Sequence, residues 1–224
     1  MAIVGWRLAL RLVAVGVLAA VSVSGCGNRG EERDSAVSGP PAGATLAVVG
    51  IQYDGTLPLH SAPGSDQPVV ASLGPLEDHV VATGKAREVD SSRWFEVTAA
   101  GVTGWADSTS LAYLGATDDV TRRIVDKLGG PPTAESMLEL GRNVATAESP
   151  AEDPKSRVTV TIAPTTVGDV GEVTYDVLGF PDDSIAGERL HVFGVLGDRF
   201  TLKKVEATTL CRRGVSGDGP RLCV

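Results

Sequence analysis

The sequence predicts a mainly β protein, in which a small barrel of short strands is followed by an α+β domain, two short helices packed on an antiparallel sheet. Three observations predict it. Glycine and proline are abundant, 27 and 13 of 224 residues, while aromatic residues make up only 4%, a composition of many turns rather than long helical seams. Short apolar runs broken by turn residues recur from Leu46 to Leu114, at the spacing of a small antiparallel barrel. Beyond residue 156 apolar and polar residues alternate with the period of two that a half-buried strand requires.

The chain opens on a segment that belongs to neither domain. Met1 to Arg11 carries Arg7 and Arg11 and no acid, and an apolar run of about twelve residues follows, Leu12 to Val23. A spanning helix needs roughly twenty, so the run has the length of an export signal. It ends in Val23-Ser24-Gly25-Cys26, which resembles the bacterial lipobox: an aliphatic residue, two small residues and a cysteine. Val23 stands where that family usually has leucine. The resemblance implies a diacylglyceryl group on the Cys26 sulfur and cleavage before it, so that residues 1–25 are a signal peptide. The alternative is a plain secretory signal whose cleavage site contains a cysteine. Two acyl chains hold a protein on a membrane where one binds only reversibly, at about 0.8 kcal/mol per buried CH₂. The expected location is extracytoplasmic, with membrane lipid as the first partner.

Loss of residues 1–25 removes two arginines and no acid, so a formal charge of −8 becomes −10. Nucleic-acid binders carry the opposite balance, and no nucleic-acid partner is expected. Residues 26–44 read as a flexible tether, because Asn28 to Ser35 and Ser38 to Pro41 offer almost nothing apolar to bury against the entropy of ordering.

Residues 45–115 form the predicted barrel. Its runs are Leu46 to Val49, Val69 to Leu73, Val80 to Thr83, Trp94 to Val97 and Thr103 to Ala106. The order of Leu57-Pro58-Leu59-His60-Ser61-Ala62-Pro63-Gly64, Pro68 to Leu73, Trp94-Phe95-Glu96-Val97, Gly104-Trp105-Ala106 and Ser110-Leu111 resembles the bacterial SH3 (SH3b) domain, over about a third of the chain. In that family those places read Asn-Val-Arg-x-Gly-Pro-Gly, an apolar strand, Trp-x-x-Val, Gly-Trp-Val and a closing Leu. The departures are His60 for the family's arginine and Ala62 for its first glycine, in a loop that often touches ligand. The resemblance implies an SH3-like barrel and, in members that bind wall peptides, aromatic residues lining a shallow groove. Trp105, Tyr113, Tyr53 and Trp94 are the ligand-binding candidates on that ground. Independently of the resemblance, a large indole closes one end of a small barrel without any ligand.

Residues 116–224 form the second domain, for which no family resemblance is found. Asp118 and Asp119 are placed in the first turn of a helix that carries Val120, Ile124 and Leu128 on one face and stops at Gly129-Gly130-Pro131-Pro132. A second helix, capped near Thr133, carries Met137, Leu140, Gly141 and Val144. Val158, Val160 and Ile162, and then Val173, Tyr175 and Val177, alternate with polar residues, which predicts one buried and one wet face. Gly197-Asp198 marks a hairpin.

With Cys26 acylated, Cys211 and Cys223 remain as an even pair in an oxidising compartment, and a disulfide is the expectation. A catalytic thiol is the alternative, since Leu210-Cys211-Arg212 resembles the Gly-Cys-x-Arg turn of L,D-transpeptidases. Thr209 and Leu210 depart from that pattern, and no histidine follows Cys211. His60, His79 and His191 are scattered without metal-ligand spacing, and no Gly-rich phosphate loop is present, so neither metal nor cofactor is expected. The resulting expectation is a non-enzymatic envelope lipoprotein whose SH3b domain binds peptidoglycan peptides or cross-bridges. A protein partner held by the C-terminal domain is the second reading, and a wall hydrolase or transpeptidase the third.

Overall fold

The computed structural model describes residues 37–150, 156–217 and 220–224. The segment read as a signal peptide, Cys26 and most of the stretch read as a tether lie outside the described residues. Strands β1 (Thr45–Val48), β2 (Leu57–His60), β3 (Val69–Leu73), β4 (Val80–Val89), β5 (Ser92–Ala99), β6 (Val102–Asp107) and β7 (Leu111–Asp119) come first. Helix α1 (Thr121–Leu128), the short β8 (Thr133–Ala134) and helix α2 (Met137–Glu148) follow. Strands β9 (Arg157–Val167), β10 (Val170–Leu178), β11 (Ile185–Leu196) and β12 (Phe200–Cys211) complete the chain. The protein is mainly β, its strand pairs are antiparallel, and its two helices are short.

All twelve strands belong to one open sheet in the order β3-β2-β6-β5-β4-β1-β7-β12-β11-β10-β9, with β8 on the flank of β12. An N-terminal SH3-like barrel was the expectation, and the sheet is not closed: among the described residues its strand order ends at β3 on one side and β9 on the other. The cause is the way β1 and β7 divide their hydrogen bonds. Thr45 and Leu46 of β1 pair with Val81 and Val80 of β4, whereas Ala47 and Val48 pair with Ala112 and Leu111 of β7. Strand β7 then leaves the N-terminal strands and runs alongside β12, from Tyr113 opposite Cys211 to Asp119 opposite Glu206. One strand thereby crosses position 115, where the sequence places a domain boundary.

Local chemistry accounts for the tight connections. Asp90 and Ser91 adopt φ of 50° and 64° between β4 and β5, and Ala100 and Gly101 adopt 49° and 80° between β5 and β6, the left-handed pairs that a two-residue hairpin needs to match strand twist. The last tether residues are also ordered. Pro40 is buried, Gly43 donates to the Ala82 carbonyl and Ala82 to that of Ala44, both at 2.8 Å, so this stretch docks on β4 instead of hanging free.

The helices cover one face of β9 to β12. Ile124, Leu140, Val144, Val173, Val177, Leu190, Val192 and Val205 are fully buried there, each contributing about 1.5–3 kcal/mol relative to exposure. Gly141 allows the close approach of α2, since a Cβ at that position would meet Val173 Cγ1 and the Tyr175 ring. The Tyr175 hydroxyl donates to the Leu138 carbonyl at 2.8 Å, and burial pushes its pKa up against the opposing charge of Arg142. Arg123 ties α1 to Glu148 of α2 at 3.1 Å and to Glu188 of β11 at 2.7 Å.

Several boundaries differ from the sequence expectation for identifiable reasons. Asp118 and Asp119 are strand residues held by β12, yet Asp119 still accepts from the Thr121 backbone N–H (2.9 Å) and hydroxyl (2.6 Å), which starts α1. Leu128 is the last residue of α1, before the left-handed cap at Gly129, and is exposed. The cap of α2 is Ser136, whose hydroxyl accepts from Glu139 N at 3.2 Å, because Thr133 is taken by pairing with Thr201. In β9 extra residues around Thr161 shift the register, so Val160 faces Tyr175 while Ile162 pairs with Thr174 on the opposite side. A bulge flips the face that alternation alone would assign.

Candidate functional site

The face of β10 that the sequence assigns to solvent is covered. Thr174 and Asp176 are 2% and 0% exposed, and Gly50 in the segment after β1 reaches Asp176. Asp176 accepts from the Gly50 backbone N–H at 2.8 Å and from Arg189 Nε and Nη2 at 2.7 and 2.9 Å. Arg189 Nη2 also donates to the carbonyls of Val48 (2.8 Å) and Pro75 (3.5 Å). A buried carboxylate is tolerated only when its lone pairs are filled in this way. The pair fastens the N-terminal strands to the C-terminal part of the sheet.

Beside this fastening lies a cleft of about 780 Å³. One wall comes from the N-terminal strands and the turn after β6: Val49, Arg93, Phe95, Ser108, Thr109 and Leu111. The other comes from Arg157, the 178–183 loop, Ala186 and Arg212. The loop is shaped by Asp182, whose Oδ1 accepts from Ser184 N at 2.7 Å, Ser184 Oγ at 2.8 Å and Ile185 N at 2.7 Å. These bonds, the Ile185 N–H first, hold the Asp182 pKa below its usual value. Arg212 reaches under the same loop, with Nε donating to the carbonyls of Asp182 (3.1 Å) and Ile185 (3.2 Å) and Nη2 to that of Phe180 (3.1 Å). Arg157 Nη2 crosses the cleft floor to the Thr109 carbonyl at 3.2 Å.

The four aromatic candidates divide. Strand register puts Trp94 and Trp105 on one face of the β5–β6 pair, since Trp94 lies opposite Asp107 and Trp105 opposite Glu96. His60 pairs with Trp105 across β2 and meets the Trp94 ring edge-on at 5.4 Å, while its Nδ1 donates to the Gln67 carbonyl at 2.7 Å. Both indoles are buried, 5% and 8% exposed. Nearby Glu96 is held by Thr83 and Lys85; burial opposes its ionisation, but those two partners keep its pKa low. Tyr113 sits elsewhere, buried in the hydrophobic cluster with Cys211, its hydroxyl without a hydrogen-bond partner among the described residues and its pKa raised by burial. Tyr53 is exposed on the loop that pairs with β9, its N–H donating to the Val160 carbonyl at 3.0 Å. None of the four lines the cleft.

Cys211 and Cys223 form a disulfide, with Cα atoms 5.2 Å apart. Cys211 is fully buried, and the crosslink returns the C-terminal segment to the end of β12, where Val215 bridges Cys223. On an exposed loop the ligand atoms of Glu77, Asp78 and His79 lie within 4.8 Å of one another, with His79 Nδ1 already against Asp78 at 2.5 Å.

The chain matches no protein family, no curated protein and no solved structure. The cleft residues were not legible in the sequence as a group. Arg93, Arg157 and Arg212 are far apart in the chain, and only strand order brings them to one place. Asp176 alternates like a solvent-facing strand residue; the sole signal against that reading is a matching Arg189 in the neighbouring run.

Proposed function

We propose that this chain is a non-enzymatic binding protein of the bacterial cell envelope, anchored by lipid on Cys26. In this reading β1 to β6 and the start of β7 are an SH3b-like module, and its ligand is a peptidoglycan peptide or cross-bridge. The observation that carries the proposal is the cleft of about 780 Å³ between that module and the C-terminal strands, a size suited to a small ligand or a few residues of peptide. Its walls come from both halves, which favours a ligand read by the whole chain over a partner held by the C-terminal strands alone. Three arginines and several apolar side chains dominate the lining, and Cys211 is engaged in the disulfide, which supports a binding role over a thiol-dependent one.

Two measurements test this. Intact mass of the protein purified from membranes is expected to begin at Cys26 and to include acyl groups. Sedimentation with purified peptidoglycan is expected to retain the chain, with retention lost in Arg93→Glu at the cleft rim and kept in Lys203→Gln on β12. A protein that starts at residue 1, or that stays in the supernatant, removes the proposal.

A further inference from the structure

We propose that the cleft recognises a carboxylate joined to an apolar body, an inference that rests on the reading of this cleft as the binding site. The chain carries a formal charge of −8, yet three guanidinium groups, those of Arg93, Arg157 and Arg212, line this one depression. The two acids of the same wall, Asp182 and Asp183, offset part of that charge, Asp182 acting on Arg212, and leave a formal excess of one positive charge among the lining side chains. Asp182 spends its Oδ1 on the Ser184 and Ile185 donors, and Asp183 is paired with Arg213 at 3.0 Å. A cleft with cationic walls focuses its field on an incoming anion.

The three arginines are held to different degrees. Arg212 is fixed by its three carbonyl bonds and Arg157 by one, while Arg93 has no hydrogen-bond or ion-pair partner among the described residues. Each guanidinium presents five N–H donors in a planar fork, so unspent donors remain on all three. That fork matches a carboxylate through two parallel bonds. Between the arginines the walls are apolar, from Val49, Phe95, Leu111, Leu178 and Phe180. Apolar walls strengthen a charged contact by excluding water, and they leave a bare inorganic anion with nothing to cover them.

Calorimetry and amide NMR on the full chain test the inference with acetyl-Leu-Ala and hexanoate as probes, each against its carboxamide and against inorganic phosphate. The acids are expected to shift Val49, Leu111 and Ala186 resonances and to bind about ten-fold or more tighter than the amides, as charge-assisted bonds imply. Their binding is expected to weaken with added salt. Arg93→Gln, an exposed change that breaks no contact in the fold, is expected to weaken the acids several-fold and leave the amides unchanged. A peptide source predicts tighter binding of acetyl-Leu-Ala than of hexanoate, and a fatty-acid source the reverse. Equal binding of acid and amide in the cleft overturns carboxylate recognition while the site itself survives. Phosphate binding as tightly as either acid overturns the apolar requirement. Probes that leave the cleft resonances unmoved overturn the site reading and the inference together.

Discussion

Arg189 and Asp176 face each other in register on neighbouring strands, joined by bonds of 2.7 and 2.9 Å, and the same guanidinium reaches the carbonyls of Val48 and Pro75. Two strands of the C-terminal half thus hold backbone from the N-terminal half. Removal of either partner strands the other as an uncompensated buried group. Asp176→Ala and Arg189→Ala are each expected to lower the unfolding free energy by about 3–5 kcal/mol. The double variant Asp176→Ala with Arg189→Ala is expected to lose less than the two singles combined. Urea unfolding followed by tryptophan fluorescence measures all three, and additive losses would show that the residues act separately.

Gly141 is the one place where better helix propensity is expected to do harm. Alanine is favoured over glycine by about 0.8–1.0 kcal/mol in a helix interior, but its Cβ would strike Val173 and the Tyr175 ring. Overpacking of a filled core costs about 1–3 kcal/mol, so Gly141→Ala is expected to lower Tm. A rise in Tm would mean that α2 moves away from β10 freely.

The crosslink between Cys211 and Cys223 spans a sequence separation of 12. On the chain-entropy account a loop of that size stabilises the fold by about 3 kcal/mol. The paired change Cys211→Ala and Cys223→Ala is expected to reduce stability by about 2–4 kcal/mol. The urea m-value is also expected to rise, because the unfolded chain without the bond exposes more surface.

Acid is expected to loosen the cleft wall at Asp182. Its folded pKa lies below the usual 3.8, owing first to the Ile185 N–H and then to the Ser184 hydroxyl and N–H. A depressed value means that the folded chain binds this proton less readily than the unfolded chain. The contribution is complete above the ordinary value and is lost as pH falls through the lower folded one. The Ser184 and Ile185 amide resonances should therefore titrate below pH 3.8. In Asp182→Asn that titration should vanish.

Period and turn chemistry carried the sequence reading a long way, and their limits are physical. The apolar stripe of α2 and the alternation of β10 are local, so residues such as Leu140, Val144, Val173 and Val177 could be assigned to the core from spacing alone. The cysteine pair was legible because Cys211 and Cys223 lie close together across a turn-rich stretch, apart from the third cysteine at position 26. Strand order was not legible, since pairing of β1 with both β4 and β7 depends on which hydrogen-bonding edge is free once the chain has collapsed. The bulge at Thr161 was invisible for a similar reason: it shows only against a partner strand. Every cleft arginine lies downstream of those decisions, so the site stayed hidden even where its flanking strands were predicted.

The passage of β7 from one half of the sheet to the other has a consequence for timing. Its outer edge is completed by β12, and Arg212 follows immediately after that strand. The depression therefore lacks part of one wall until β12 and Arg212 are in place, however well the early strands have formed. Its second wall draws on Arg157, the 178–183 loop and Arg212 together, so the depression is a property of the whole sheet and of neither half alone.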